Sequence, residues 1–194
     1  MVGKQRNLLG IVILLVGLCC PGTTGAVMAG EATGEDAAIE PVLLGPASRQ
    51  EIESAMPEWM TEVVLAEPDR AAANLLVGAL EGAEVTIFFG TWCADSGREL
   101  PRLWRALDEA GAIDPAEIRY IGVDRDKTEP AELVSGRDLQ RVPTIVVMRA
   151  GIESGRIVES SPSGIEIDLL ALLRGETKGS VTGSPELAGE RDEP

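Results

Sequence analysis

The chain of 194 residues contains no histidine, only three cysteines and few basic residues. Without an imidazole, Ser-His and Cys-His nucleophilic pairs and histidine-ligated metal centres are excluded. The 17 Lys and Arg residues stand against 32 Asp and Glu residues, which gives a formal net charge of −15. A field of this sign repels phosphate groups, so we expect no nucleic acid partner and no polybasic membrane contact. We also predict no cofactor and no metal.

A long apolar run occurs near the beginning of the chain. Lys4 and Arg6 precede the almost wholly apolar residues 8–18, after which a Pro-Gly pair and small residues follow. This layout is typical of a secretory signal peptide, and the run is shorter than the about 20 apolar residues that a membrane span needs. We therefore predict that residues 1–29 are a cleaved signal peptide and that the protein is extracytoplasmic, either periplasmic or secreted.

Alternatives remain open at this end of the chain. Cleavage after Ala26 or Ala29 fits the preference for small residues, whereas Cys19 or Cys20 could instead be lipidated. Membrane attachment is expected only if one of these cysteines carries a lipid or the signal stays uncleaved. Cleavage leaves Cys93 as the one cysteine, and a lone thiol in an exported protein is buried, paired with another molecule, or used in chemistry.

Composition divides the rest of the chain into three parts. Residues 30–47 are rich in Gly, Ala, Pro and acids and are predicted to be a flexible linker. Residues 48–174 carry the helix and strand patterns of a folded domain. Residues 175–194 are rich in Gly, Ser, Pro and Glu and are predicted to be a disordered acidic tail.

Capping residues and apolar patterns predict the elements of this domain. The strands are expected around 63–65 and at 85–89, 118–123, 144–148 and 156–159, with a turn over 151–155. The helices are expected after a capping box at Ser48–Glu51, from Asp69 to Leu80, at 94–110 with a kink at Pro101, weakly at 130–135, and after a second capping box at Ser163–Glu166. Strands that alternate with helices indicate an α/β fold with helices on both faces of a central sheet.

Cys93 has the most informative position in the chain. It directly follows the apolar strand 85–89 and directly precedes the helix 94–110. The free N–H groups and the positive end of a helix favour the thiolate, which is the reactive form of cysteine. The alternative is that Cys93 is an inert, buried small side chain, which is a common fate of free cysteine.

The residues around Cys93 resemble a known family. The segment Thr91-Trp92-Cys93-Ala94-Asp95-Ser96 is similar to the Trp-Cys-x-x-Cys site of thioredoxins, with Ser96 in the place of the second cysteine. Pro101 is similar to the proline in the following helix of that family, Val142-Pro143-Thr144 to its cis-proline loop, and residues 149–159 to its closing hairpin. The resemblance covers about residues 62–174, and only the combination of motifs is specific. It implies a three-layer thioredoxin-like fold with a central mixed sheet.

The resemblance also implies roles for these side chains. Cys93 is expected to be the nucleophile, while Val142 and Pro143 shape a substrate groove. At the start of a helix, the Ser96 hydroxyl is placed to donate a hydrogen bond to the Cys93 thiolate. Trp92 is expected to be a partly exposed lid or a plain core residue. Asp95 is expected to complement the helix dipole, with a role in proton transfer as the alternative.

Two functions follow from the missing second cysteine. A mixed disulfide on Cys93 would persist until an outside thiol attacked it, a behaviour similar to that of monothiol glutaredoxins. We therefore predict a thiol-redox protein whose partners are protein or small-molecule thiols and disulfides. The alternative is a non-catalytic thioredoxin-like module that binds extended peptides beside Pro143. A peroxidase is less favoured, because Gly90 stands where a threonine is expected.

Overall fold

Six strands and seven helices follow one another in the part of the chain that the structure describes, residues 42–188 of a computed structural model. Their bounds are β1 (Gly45–Ala47), α1 (Arg49–Ala55), α2 (Trp59–Leu65), α3 (Arg70–Leu80), β2 (Ala83–Phe89), α4 (Ala94–Glu109), β3 (Ile118–Gly122), α5 (Ala131–Val134), β4 (Thr144–Arg149), β5 (Ile152–Val158), α6 (Ile165–Arg174), β6 (Gly179–Val181) and α7 (Pro185–Ala188). The predicted signal peptide with Cys19 and Cys20, residues 30–41 of the predicted linker and residues 189–194 lie outside the described residues.

The strands form one mixed sheet in the order β1-β3-β2-β4-β5-β6. β2 lies in the interior of the sheet, parallel to β3 and antiparallel to β4. β5 is antiparallel to β4 and parallel to β6, and β1 is antiparallel to β3. The apolar run of β2, which shows no alternation, is explained by burial on both faces of the sheet.

Helices cover both faces of this sheet, but unequally. On one face, α1, α2, α3, α4 and α6 enclose the main core, to which β2 contributes Val85, Ile87 and Phe89. On the other face a smaller cluster contains Phe88 of β2 and Val134 of α5, and Cys93 packs against it. The arrangement is an α/β fold consistent with three layers, as predicted.

The strand predicted around 63–65 is wrong, because these residues end the helix α2. Trp59 and Val63 are one helical turn apart, and both are buried in the main core. Val64 and Leu65 are 75% and 67% exposed. Burial of one helical face therefore overrides the strand preference of the β-branched valines.

Both ends of the domain extend further than composition predicted. Residues 45–47, assigned to the linker, form β1 and pair with β3. Residues 179–188, assigned to the disordered tail, form β6 and α7. We call residues 176–188 the C-terminal extension. The expected turn at 151–155 is also shorter, because β5 already begins at Ile152.

One of the two predicted capping boxes is present. Ser48 and Glu51 cap α1 reciprocally, but Ser163 does not cap α6, whose N-cap is Gly164. The Glu166 carboxylate instead accepts a hydrogen bond from the Asp69 backbone N–H at 2.8 Å. Asp69 itself caps α3 as predicted. The second box fails because a partner that is distant in sequence takes the Glu166 side chain.

Candidate functional site

Cys93 is the N-cap residue of α4, four residues after the end of β2. The Cys93 backbone N–H donates to the Gly90 carbonyl at 3.0 Å, and the Cys93 carbonyl accepts from Gly97 N–H at 3.1 Å. The residue is half-buried. The 16-residue helix that follows buries Leu100, Leu103 and Trp104 in the main core, which fixes the position of its N-terminus and therefore that of Cys93.

The Cys93 thiol faces the segment that precedes β4. Its Sγ donates a hydrogen bond to the Val142 carbonyl oxygen at 3.1 Å. The Val142–Pro143 peptide bond is cis, and both residues are buried. The sheet register explains why Cys93 and Val142 lie close together, because Phe88 near the end of β2 pairs with Thr144 at the start of β4. The structure thus brings together Cys93, Val142 and Pro143, which lie about 50 residues apart in the sequence.

Ser96 does not make the predicted hydrogen bond to the sulfur. Its side chain is fully buried, and its Oγ accepts from the Gly90 backbone N–H at 3.2 Å. No hydrogen bond joins Ser96 to Cys93 within residues 42–188. In this arrangement Ser96 fixes the loop between β2 and α4, so that its effect on Cys93 is one of position.

Trp92 folds back over the loop and the end of β3. Its indole N–H donates to the Val123 carbonyl at 3.1 Å, and the Arg125 guanidinium lies 5.2 Å from the centre of its ring. A Cβ on Gly90 would lie 2.5 Å from the same ring, so only glycine allows this placement. The half-buried indole also packs against the smaller apolar cluster. Trp92 is therefore partly exposed and packs against the same cluster as Cys93, while its role as a lid stays a prediction.

Gly90 and Arg125 are site residues that sequence reasoning missed. In the sequence, Gly90 stands out only as the absence of a threonine, and Arg125 lies in a charged turn that resembles many solvated turns. The signal for Gly90 was a glycine that ends an apolar strand two residues before a tryptophan. No comparable signal marked Arg125, because its contact depends on the parallel pairing of β2 with β3.

A chain of charges runs along the first turns of α4. Asp95 Oδ1 lies 2.7 Å from an Arg98 nitrogen, and Arg98 Nε donates to the Glu99 carboxylate at 3.0 Å. Glu99 is 2% exposed, and this burial raises the pKa of its carboxyl, although the hydrogen bond from Arg98 opposes the rise. The ion pair with Arg98 and the first-turn position fit an Asp95 that complements the helix dipole.

Neither a metal centre nor a membrane span is found in the described residues. Within residues 42–188 no three Asp, Glu or Cys side chains are grouped closely enough to hold a metal ion. No helix in that same range has the length and apolar character needed to cross a membrane.

Comparisons with known proteins assign no function to this chain. No family model matches the chain, and no curated protein matches it. Among solved structures, a protein of unknown function from Pseudomonas aeruginosa is similar, with 16% sequence identity over 66% of this chain and 86% of that chain and a TM-score of 0.44. A likeness this distant carries no argument about what the chain does.

Proposed function

We propose that this chain is an exported thioredoxin-like protein that exchanges thiols and disulfides through the single nucleophile Cys93. The observation that carries the proposal is the half-buried Cys93 at the N-terminus of α4, with its sulfur facing Val142 and Pro143. The first turn of a helix has backbone N–H groups that have no partner within the helix. Cys93 is the N-cap residue beside these groups, and its side chain accepts no hydrogen bond from them while the thiol donates to Val142. These groups can stabilise the negative charge of a thiolate.

The arrangement around Cys93 supports the thioredoxin-like part of the proposal. The Trp-Cys-x-x-Ser segment connects an interior strand to a long helix that contains Pro101. A cis-proline precedes β4, which continues into the antiparallel β5. These features agree with the resemblance seen in the sequence, whereas β1, β6 and α7 lie outside the residues that it covers.

The chemical step needs only Cys93 and a disulfide. The thiol first leaves the Val142 carbonyl and gives its proton to water. The thiolate attacks one sulfur of the partner disulfide, a new S–S bond forms to Cys93, and the other sulfur leaves as a thiolate and takes up a proton. An external thiol then attacks the mixed disulfide, restores the Cys93 thiol and carries away the partner sulfur in a new disulfide. No net oxidant or reductant is consumed in this exchange.

The first experiment compares native and unfolded protein. We expect Cys93 in the folded chain to react with iodoacetamide at pH 7 at least about tenfold faster than in urea, because the helix N-terminus favours the thiolate. Oxidised glutathione or a peptide disulfide should then give one covalent adduct by mass spectrometry, which dithiothreitol removes. The Cys93→Ser variant is the matched control. Equal alkylation rates in the folded and the unfolded chain would sink the proposal.

A second candidate is a non-catalytic module that binds extended peptides beside Pro143. It is favoured by the hydrogen bond from the neutral Cys93 thiol to Val142 and by the orientation of Ser96 towards Gly90. This candidate predicts that Cys93→Ser binds the same peptides as the wild-type chain. Loss of binding in the serine variant would exclude it.

Export is tested separately from the chemistry. We expect the chain, expressed in a bacterium with its first residues intact, to appear outside the cytoplasm with a new N-terminus after residue 26 or 29. A lipid-linked Cys19 or Cys20, identified by mass, would instead establish a lipoprotein. Recovery of the intact chain in the cytoplasm would contradict export.

A further inference from the structure

A pocket of about 170 Å³ lies between the C-terminal extension and the strand β5. The extension supplies Ser180, Thr182 and Leu187 to its wall. β6 holds Ser180 in place, because it pairs in parallel with residues 155–157 of β5, and Thr182 directly follows this strand. The pocket therefore exists only because the last part of the domain is ordered.

The opposite wall connects the pocket to the Cys93 site. It contains Gln140, which lies two residues before Val142. The Val142 carbonyl accepts the hydrogen bond from the Cys93 thiol. It also contains Val158, which pairs with Thr144 directly after Pro143. Since two residues of chain span at most about 7 Å, the pocket lies within a few residues of a peptide bound at Cys93.

The C-terminal extension also forms an ion pair with the segment that precedes β4. Arg141 lies between Gln140 and Val142, and its guanidinium approaches Glu186 of α7 at 3.3 Å. Gly183 of the extension donates its N–H to the Ser160 carbonyl at 3.0 Å. Ser160 is the second residue after the end of β5, and Glu159 lies between them. Glu159 in turn donates its N–H to the Pro143 carbonyl at 2.8 Å. The C-terminal extension is thus bonded to Arg141, just before the cis-proline, and to Ser160, next to the residue that bonds to Pro143.

The polar side chains of the pocket comprise one anion, one cation and three groups that both donate and accept hydrogen bonds. Arg156 is its one cation, and its guanidinium is already used by the Glu153 carboxylate and by the carbonyls of Arg137 and Asp138. Asp138 also lines the pocket. Glu153 lies outside the lining and neutralises Arg156 in an ion pair, so that these three side chains together carry a charge of −1. Gln140 adds an amide oxygen, and Val158 and Leu187 add apolar surface.

We propose that this pocket is a subsite for a lysine or arginine side chain of the protein that exchanges disulfides with Cys93. The inference rests on the proposed function, since the subsite is placed relative to the reacting sulfur. The methylene groups of a long basic side chain match Val158 and Leu187, and its cationic head matches Asp138. The net charge of −15 steers a basic partner towards the chain in the same sense.

The test uses the mature chain and short peptides whose cysteine carries an activated aromatic disulfide. The peptides differ only in the residue three positions from this cysteine, which is Lys, Leu or Glu. We expect adduct formation on Cys93 to be about fivefold faster with Lys than with Leu, as for one partly exposed ion pair, and slowest with Glu. Equal rates for the three peptides would overturn the subsite.

Two variants locate the preference. Asp138→Asn removes the carboxylate charge, and asparagine tolerates the left-handed backbone of this position, where φ is +52°. We expect the ratio of the Lys rate to the Leu rate to fall to about one in this variant. Asp126→Asn is the control, because it removes the same charge from a loop residue outside the pocket, and it should keep the full ratio. An unchanged ratio in Asp138→Asn would overturn the assignment.

A non-covalent measurement separates the subsite from the thiol chemistry. Fluorescence anisotropy of a cysteine-free Lys peptide is measured with Cys93→Ser, alone and combined with Asp138→Asn. Binding that weakens with Asp138→Asn supports the subsite even if no peptide forms an adduct with Cys93, an outcome that would overturn only the proposed function. Binding that is indifferent to both the Lys side chain and Asp138 would overturn the subsite and leave the thiol chemistry standing.

Discussion

The two faces of the sheet are packed very differently. One face carries the main core under five helices, in which Leu100, Leu103 and Trp104 of α4 are completely buried. The other face carries the smaller cluster, where the one-turn helix α5 contributes Val134. Cys93 and Trp92 pack against this second cluster. The difference indicates that the main core supplies most of the stability, while the thinner side leaves Cys93 half-buried.

The strand β2 and the helix α4 connect these two regions. Neighbouring residues of β2 point to opposite faces, so that Phe88 lies in the smaller cluster while Phe89 lies in the main core. Cys93 follows four residues later as the N-cap of α4. The backbone of Cys93 is thus held by the well-packed region, while its side chain packs against the smaller cluster and the residue stays half-buried.

The largest expected effect comes from a cavity in the main core. Leu103→Ala should lower the free energy of unfolding by about 2–5 kcal/mol, because Leu103 is completely buried among α4 and its neighbours. Val134→Ala in the smaller cluster should lower the free energy of unfolding by about 1.5 kcal/mol, since it removes the equivalent of two methylene groups from a less enclosed site. Urea unfolding monitored by circular dichroism measures both.

The same pair of variants should separate stability from reactivity. We expect the rate of Cys93 alkylation under native conditions to change more in Val134→Ala than in Leu103→Ala, as the smaller cluster borders the thiol. A Val134→Ala variant that loses as much stability as Leu103→Ala would show that the two faces are equivalent and would break the comparison.

An intermediate effect is expected at the loop that carries Trp92. Gly90→Ala introduces a Cβ at 2.5 Å from the Trp92 ring, so the indole must move away from Gly90. Overpacking of this kind costs about 1–3 kcal/mol. We expect a changed tryptophan fluorescence spectrum and faster alkylation of Cys93. The same substitution at Gly78, where a Cβ meets nothing within 4 Å, should leave both measurements unchanged.

The smallest effect concerns the buried carboxylate on α4. Burial raises the pKa of Glu99 above its ordinary value of 4.5, so the folded chain holds this proton to higher pH than the unfolded chain does. The protonated carboxyl therefore favours folding at low pH, and this contribution is lost as the pH rises from about 4.5 through the raised pKa. Glu99→Gln should remove this loss from the dependence of unfolding free energy on pH. A variant whose pH profile matches that of the wild-type chain would contradict the prediction.

Much of the fold followed from local signals. Asp69 caps α3, and the uniform apolar run of β2 indicated an interior strand. The strand expected at 63–65 failed because the burial of Trp59 and Val63 on one side of a helix depends on the packing of α2 against α4. The second capping box failed because Glu166 bonds to Asp69, a partner 97 residues away. Local sequence patterns do not contain such distant contacts.

The site was predictable where it depended on the order of elements. Cys93 at the junction of β2 and α4 was expected, and its approach to Val142 and Pro143 followed from the resemblance. The detailed hydrogen bonds were not predictable. Ser96 bonds to Gly90 rather than to the sulfur, and Arg125 covers Trp92. Both contacts depend on rotamers and strand register that spacing along the chain does not determine.

The parallel pairing of β6 with β5 has a consequence for the chain as a whole. Residues 155–157 would otherwise present unpaired backbone N–H and C=O groups at the border of the sheet. Such a border is a template on which another chain can add a strand. Because β6 pairs with these residues, it protects them from pairing with another chain. A chain truncated after residue 175 would lack β6 and would expose an unpaired strand edge that favours aggregation.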